Sequence, residues 1–345
     1  MPETSHLVKT DKVRQPKIKS QKKTKNLLFD ATVADGFLFM AMEDLDSSMV
    51  LYHRGYYPQA VFLLQQSVEK AAKSLGIFLL LITDKEAYKI VGHNPMNILK
   101  KTSTDMTRNI HAMKKEIDVN PDLKLFFTGM GMDISAFDIK IEEWVEQAFA
   151  ELKKMEGYDL NRKQIRKIIK DIRKQTARID IEIQKNRDHG LSDADYNQMK
   201  KVLTDMVFSA LSATTLSQSK KMEIIEDFKQ NAISQFIPDK EGTEYLITFV
   251  LVLVDCATIL IPLAQLTAPH AIRSRYPMPD EGFDPITFYT KECPIVAALP
   301  DIYPIAKRSI EQIDLLYDLM TGEGQGEIAT SNVERILLDS KENPA

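Results

Sequence analysis

Apolar side chains recur every three or four residues along two neighbouring stretches of the chain, the first of which begins at Val33. This spacing places them on one face of an α-helix. The apolar positions of the first helix are Leu38, Met42, Leu45, Met49 and Tyr52. Gly55 follows at the position typical of a residue just past a helix end, so the first helix is predicted to stop before it.

The second stretch opens with Pro58, a residue that suits the first turn of a helix. Its apolar positions are Val61, Leu64, Val68, Ala71 and Leu75. Because a short connection joins the two helices, they are predicted to form an antiparallel helical hairpin. Strand-like alternation is not sustained anywhere in the sequence, and the predicted fold class is therefore all-α.

Residues 246–266 form the most apolar stretch of the chain. The stretch is about 20 residues long, which is enough to cross a bilayer. Asp255 lies near its middle, and a carboxylate there costs about 2.5–3.5 kcal/mol in a membrane. Pro262 and Gln265 also weigh against a membrane span. We therefore predict a buried core helix and no membrane contact.

The side of the second helix opposite its apolar stripe is polar. It carries Gln65, Gln66, Glu69, Lys70 and Lys73. Two uses of this face remain open. It can pair with neighbouring helices or with a second copy through hydrogen bonds, with Glu69 and Lys73 supporting each other at a spacing of four. Alternatively, Lys70 and Lys73 can contact a phosphate-bearing ligand.

Residues 42–100 resemble the HEPN domain family (higher eukaryotes and prokaryotes nucleotide-binding). The matching features are the Gly–Tyr turn, the Gln–Gln–x–x–Glu–Lys–x–x–Lys core of the second helix, and a His that precedes a further helix. They correspond here to Gly55, Tyr56, Gln65, Gln66, Glu69, Lys70, Lys73, His93, Ile98 and Leu99. Residues 274–277 (SRYP) are similar to the Arg–Tyr–Pro element that follows the third helix of many members, and residues 302–320 would be the fourth helix.

The resemblance implies a four-helix up-and-down bundle with a helical insertion between helices two and three. The predicted organisation is a disordered basic arm (1–29), a first half (30–104), an inserted helical subdomain (105–240), a second half (241–322) and a flexible tail (323–345). Nucleotide or phosphate contacts would fall on Gln66, Lys70, Lys73, His93, Arg275 and Tyr276. The resemblance also implies a homodimer, a toxin–antitoxin or defence setting, and a nucleotidyltransferase partner.

Many HEPN proteins are metal-independent ribonucleases. In this family the activity is implied by a motif in which an Arg is followed, after four to six residues, by a His. None of the six histidines has an Arg at that distance before it. The nearest arrangement is Arg187 with His189, only two residues apart, so on a helix they point in different directions. We therefore expect no catalysis. A divergent endoribonuclease that uses this pair is the alternative.

A strongly basic helix is predicted from Asn161 to about Lys185. One side carries Lys163, Arg166, Lys167, Lys170 and Lys174, and the other side is rich in isoleucine. Such a helix can bind a nucleic-acid backbone. Alternatively, its basic side can be a solvent-exposed face whose charge is compensated by the acidic remainder of the protein. Aromatic residues for base stacking are missing, so any contact is expected to be with phosphates and independent of base sequence.

Composition and charge narrow these hypotheses. The chain is 44% hydrophobic and 27% charged, as in a soluble globular protein. Two cysteines and the lack of an N-terminal apolar core predict a cytoplasmic protein without disulfides. The formal net charge of the chain is −4. Residues 1–29 carry a net charge of +6, so the remaining residues carry −10.

The leading hypothesis is thus a non-catalytic HEPN-type protein that binds a nucleotide or nucleic acid such as RNA. A helical interaction scaffold, with residues 105–240 as its partner surface, is a third interpretation. No cofactor or metal is expected, because no Gly-rich phosphate loop, His–Glu–x–x–His or Cys–x–x–Cys motif occurs.

Overall fold

The computed structural model describes residues 31–121, 160–214, 216–229 and 239–321, together with single residues at 124, 125, 128 and 150. The predicted basic arm at 1–29 and the predicted tail at 323–345 lie outside the described residues. Within the described ranges the chain is helical and has no β-strand, apart from an isolated bridge between Met278 and Phe283. The predicted all-α class is therefore confirmed for this part of the chain.

Eight helices of ten residues or more lie in the described ranges. They are α1 (Ala31–His53), α2 (Tyr57–Phe78), α3 (Met96–Val119), α4 (Arg162–His189), α5 (Asp193–Ala213), α6 (Gln218–Asp227), α7 (Lys240–Thr267) and α8 (Pro294–Thr321). The predicted hairpin corresponds to α1 and α2. Gly55 closes the turn between them with a φ of 81°, a conformation that glycine adopts without a steric penalty.

Helices α1, α2, α7 and α8 pack against one another around a single hydrophobic core. The apolar stripe predicted on α2 is buried throughout. The core is completed by fully buried side chains from the C-terminal helices, among them Ile259, Leu263, Leu299 and Ile313. The four helices assigned to the HEPN-like halves thus form one bundle, although more than 150 residues separate α2 from α7 along the chain.

Helix α4 adds a fifth element to this bundle. It lies within the stretch that we predicted as a separate inserted subdomain, yet it packs against α7 and α8. Its contact side buries Ile165, Ile169, Ile172 and Thr176. The isoleucines are spaced to fill the groove between the two C-terminal helices, so part of the predicted insertion belongs to the core.

Several helix ends differ from the sequence-based expectation. Helix α3 runs without interruption through residues 104 and 105, where we placed a domain boundary. Helix α8 starts eight residues before 302, because Pro300 and Pro304 lie on its solvent side.

Helix α7 is long and apolar enough to cross a membrane by length and composition, and only 33% of its most apolar window is buried inside the protein. Its C-terminal half is in the core, where Asp255, Cys256 and Ile259 are fully buried. Its N-terminal half leaves Leu246, Val250 and Val254 about half exposed. The predicted core helix is therefore buried over its second half and open along one side of its first half.

Candidate functional site

The polar face of α2 is a buried hydrogen-bond network rather than an open surface. Gln65 is fully buried, and Glu69 and Lys73 are almost so. The ammonium of Lys73 lies 2.7 Å from Glu69 Oε1, which confirms the predicted support at a spacing of four. It also lies 5.8 Å from the centre of the Phe37 ring on α1, within cation–π range. Lys73 is therefore held within the protein.

Glu69 is the centre of this network. Its Oε2 accepts hydrogen bonds from Gln65 Nε2 at 3.0 Å and from Gln66 Nε2 at 3.3 Å. The Nδ1 atom of His93 is 3.3 Å from the same oxygen. Because Gln65 Nε2 also donates to the carbonyl of His93 at 3.2 Å, the network fixes the loop before α3 against the middle of α2.

The six residues predicted to contact a nucleotide lie in different surroundings. Lys70 forms an ion pair with Asp44 on α1. The guanidinium of Arg275 stacks between Phe62, 4.8 Å away, and Tyr276, 5.0 Å away. Among the six predicted residues, only His93 and Tyr276 are exposed. Gln66 and His93 both contact Glu69, whereas Lys70 and Arg275 each have separate partners. A nucleotide site formed by these six residues stays a prediction.

The outward side of α4 carries a row of exposed cations, which we call the basic ridge. The ridge consists of Lys163, Arg166, Lys167, Lys170, Lys174 and Arg178, all of them exposed. None of these six side chains forms an ion pair with a carboxylate in the described part of the chain. From first to last the ridge spans about 22 Å, at a rise of about 1.5 Å per residue. Among the described residues, the ridge is therefore an exposed row of positive charge without carboxylate partners.

Both ends of α4 are fixed by specific contacts. At the N-terminus, Asn161 and Gln164 form a capping box, in which each side chain accepts from the other residue's amide at 3.0 and 2.8 Å. Arg162 donates to the carbonyl of Glu292 at 2.9 Å. Near the C-terminus, Asn186 Nδ2 donates to Thr248 Oγ1 on α7 at 2.8 Å. The helix that carries the ridge is thus a rigid part of the bundle.

A buried charge cluster joins α4 to α7 and α8. Both terminal nitrogens of Arg308 on α8 donate hydrogen bonds to the carboxylate of Asp180 on α4, at 2.9 and 2.7 Å. Its Nε donates to Asp255 on α7 at 2.9 Å. Asp255 is completely buried, and its Oδ1 atom has no hydrogen-bond partner. Burial raises the pKa of Asp255 to about 6, although the attraction of Arg308 opposes this shift.

The shifted pKa of Asp255 predicts a measurable pH dependence. The folded pKa of about 6 exceeds the ordinary value of 3.8, so the folded state binds the proton more tightly. The stabilisation from this group is therefore complete below about pH 4 and is lost as the pH rises through 6, with a change of about 3 kcal/mol.

We expect Asp255→Asn to remove this contribution. Chemical denaturation of wild type and Asp255→Asn between pH 4 and 8 gives the free energy of unfolding of each protein at each pH. The difference between the two curves isolates the contribution of Asp255, because the effects of the other groups cancel. A difference that does not vary with pH would contradict the assignment.

Arg187 and His189 lie in the last turn of α4, and both are exposed. The helix was predicted to end at about Lys185, but it continues to His189, and Gly190 ends it with a φ of 58°. Two residues apart on a helix, the side chains point about 200° away from each other. The structure does not bring this pair together as an acid–base couple.

One histidine and two cysteines of the C-terminal half are further titratable groups, and all three are buried. His270 Nδ1 lies 2.8 Å from the hydroxyl of Tyr289, and burial lowers the pKa of His270 to about 4, so the ring is neutral at pH 7. Cys256 and Cys293 are buried and unpaired. No group of three or more metal-ligating side chains occurs among the described residues.

The fold and these contacts define an all-α bundle protein with a buried polar network on α2 and an exposed basic ridge on α4. The family model described as the HEPN domain matches residues 34–88 of this chain, which confirms the resemblance predicted for the hairpin. The match covers most of α1, all of α2 and the turn that follows; the basic ridge lies outside it. No curated protein and no solved structure matched the chain in the same comparisons.

Proposed function

We propose that this protein is a non-catalytic nucleic-acid-binding protein that contacts the phosphate backbone through the basic ridge. The observation that carries the proposal is the row of six exposed cations on α4 without ion-pair partners in the described residues. Lys and Arg side chains in such a row replace the counterions of phosphates, and the released counterions drive binding. The alternative is a charged solvent face compensated by the acidic remainder of the protein, and the lack of carboxylate partners along the ridge in the described residues favours the proposal over it.

Two further features support this function. Apart from residues 1–29, which carry a net charge of +6, the rest of the chain is net negative, so the ridge is a local concentration of positive charge in an otherwise acidic body. An anionic partner is therefore directed to the ridge and repelled by the acidic remainder of that body. The buried network around Glu69 leaves Lys73 inside the protein, which favours the ridge over α2 as the place where a phosphate binds.

The proposal includes the setting that the resemblance to HEPN proteins implies: a homodimer in a toxin–antitoxin or defence system, with a nucleotidyltransferase as partner. It also includes the cytoplasmic location predicted from the two cysteines and the N-terminal composition. In this setting the protein sequesters nucleic acid and does not cleave it. The positions of Arg187 and His189 support this, because neither side chain faces the other across a common site.

Neutralising the ridge tests the proposal. The triple variant Lys167→Gln, Lys170→Gln, Lys174→Gln keeps good helix formers on the solvent side and removes three charges. We expect roughly a hundredfold weaker binding, and a fall of about 2.7 in the slope of log Kd against log salt, since each phosphate contact contributes about 0.9. Fluorescence anisotropy with a labelled oligonucleotide, from about 50 to 200 mM salt, measures both quantities.

The matched control is Lys89→Gln, Lys100→Gln, Lys115→Gln. It removes the same charge from exposed positions before and along α3. Only a small change is expected in this variant. Equal losses in both triple variants would show that net charge alone, and not the ridge, determines binding.

Catalysis is tested separately with His189→Ala. Gel analysis of labelled RNA should show no cleavage by wild type and no change in the variant. Cleavage that disappears in His189→Ala would instead support the divergent ribonuclease.

A further inference from the structure

We infer that the ligand of the basic ridge is a nucleic-acid duplex rather than a single strand. The inference rests on the proposed function and specifies the class of nucleic acid that this ridge is built to bind. Three properties of α4 support it: the straight arrangement of the cations, the residue types around them, and the way in which the helix is fixed.

The ridge is a straight row on one face of one helix. Positions 163, 167, 170, 174 and 178 follow one another at spacings of three and four, so their side chains point to the same side. A duplex presents one phosphate per about 1.7 Å of its axis, twice the density of either strand alone. A straight row about 22 Å long therefore meets enough phosphates on a duplex without requiring the nucleic acid to change shape.

The residue types on α4 do not suit single-strand binding. Proteins that bind single strands place aromatic rings where bases stack, and each stacked base contributes about 1–3 kcal/mol. Helix α4 contains no Phe, Tyr or Trp along its 28 residues. In a duplex the bases are already stacked on one another, and the phosphates are the groups presented to this surface.

The ridge is held in place before any ligand binds. Four side chains on the opposite face of α4 are buried, and Asp180 is fixed by two hydrogen bonds from Arg308. A row of cations on a helix that is already fixed loses little backbone entropy when it meets a rigid array of phosphates. A flexible single strand would have to be straightened along the same row, and that ordering weakens binding.

The difference between the two forms can be estimated from counterion release. Six contacts give a salt slope of about −5.4 on a duplex and about −4.2 on a single strand. With equal affinities at 1 M salt, these slopes predict about fifteenfold tighter duplex binding at 0.1 M.

The experiment uses the full chain and fluorescence anisotropy with one labelled sequence in three forms: single-stranded DNA, its DNA duplex and the corresponding RNA duplex. Each form is titrated at several salt concentrations with wild type, with the ridge triple variant and with the α3 control variant. We expect both duplexes to bind about fifteenfold tighter than the single strand. In the ridge variant alone this preference should fall to about fourfold, because three of the six cations remain.

Each outcome decides between the two claims. A single strand that binds as tightly as the duplexes, through the ridge, overturns the duplex inference and leaves the proposed function intact. Binding that the ridge variant retains in full overturns both, because the contact then lies elsewhere. No binding to any form by folded protein overturns the proposed function itself. Circular dichroism of each variant confirms that it is folded.

Discussion

Replacement of Arg308 by methionine is expected to lower the free energy of unfolding by about 3–5 kcal/mol at pH 7.5, the usual effect of removing one partner from a buried ion pair. The substitution leaves Asp255 buried without a counter-charge, and it also removes the two hydrogen bonds that Asp180 accepts. Methionine fills much of the volume of the arginine stem, so loss of packing contributes little. Urea denaturation followed by circular dichroism measures the change.

The matched variant for this prediction is Arg308→Met combined with Asp255→Leu. Replacing a buried ion pair by apolar side chains of similar size is often neutral or stabilising, so the double variant should recover most of the loss. The loss in the single variant should also shrink at low pH, because protonation removes the uncompensated charge of Asp255. If the double variant is as unstable as the single one, packing rather than charge dominates at this position.

The second large effect is expected at Glu69. Changing Glu69 to leucine leaves the ammonium of Lys73 buried without its carboxylate, and it removes the acceptor shared by Gln65, Gln66 and His93. We expect a loss of about 3–5 kcal/mol, again because a buried charge is left unpaired. Thermal and urea denaturation at neutral pH both report this change.

Substitution of Lys73, the other partner of this ion pair, shows how much each of the two side chains contributes. In Lys73→Met, Glu69 still has Gln65, Gln66 and His93 around its carboxylate, so the expected loss is about 1–3 kcal/mol. The double variant Glu69→Leu, Lys73→Met should recover the part of the loss that comes from the unpaired ammonium and retain the part that comes from the missing acceptor of Gln65, Gln66 and His93. Equal losses in the two single variants would contradict the asymmetry that the hydrogen bonds imply.

Part of the fold was predictable because its signals are local. The apolar stripes of α1 and α2, the turn at Gly55 and the isoleucine face of α4 each depend on residues three or four apart, and the structure has all of them. The start of α8 was not predictable, because Pro300 and Pro304 usually interrupt a helix. Here the helix continues through both, and both lie on its solvent side.

Of the candidate functional features, some were predictable from the sequence and others were not. The cations of the ridge are visible in the sequence, since their spacing alone places them on one side of a helix. Burial of Gln65 and Lys73 was not visible, because it depends on Phe37 of α1 and on the loop at His93. Asp255 was noticed only as a charge within an apolar stretch. Its partner Arg308 is 53 residues away, and no pattern in the sequence connects them.

The link between Arg308 and Asp180 also bears on the order of folding. The two residues are 128 positions apart, so α4 emerges from the ribosome long before the arginine that fixes it. Contacts of such high sequence separation form late in folding, after chain entropy has been lost elsewhere. Helix α4 is therefore fixed to α8 only when synthesis has passed residue 308, and an incomplete chain would carry the same cations on a helix that this link does not yet hold against the bundle.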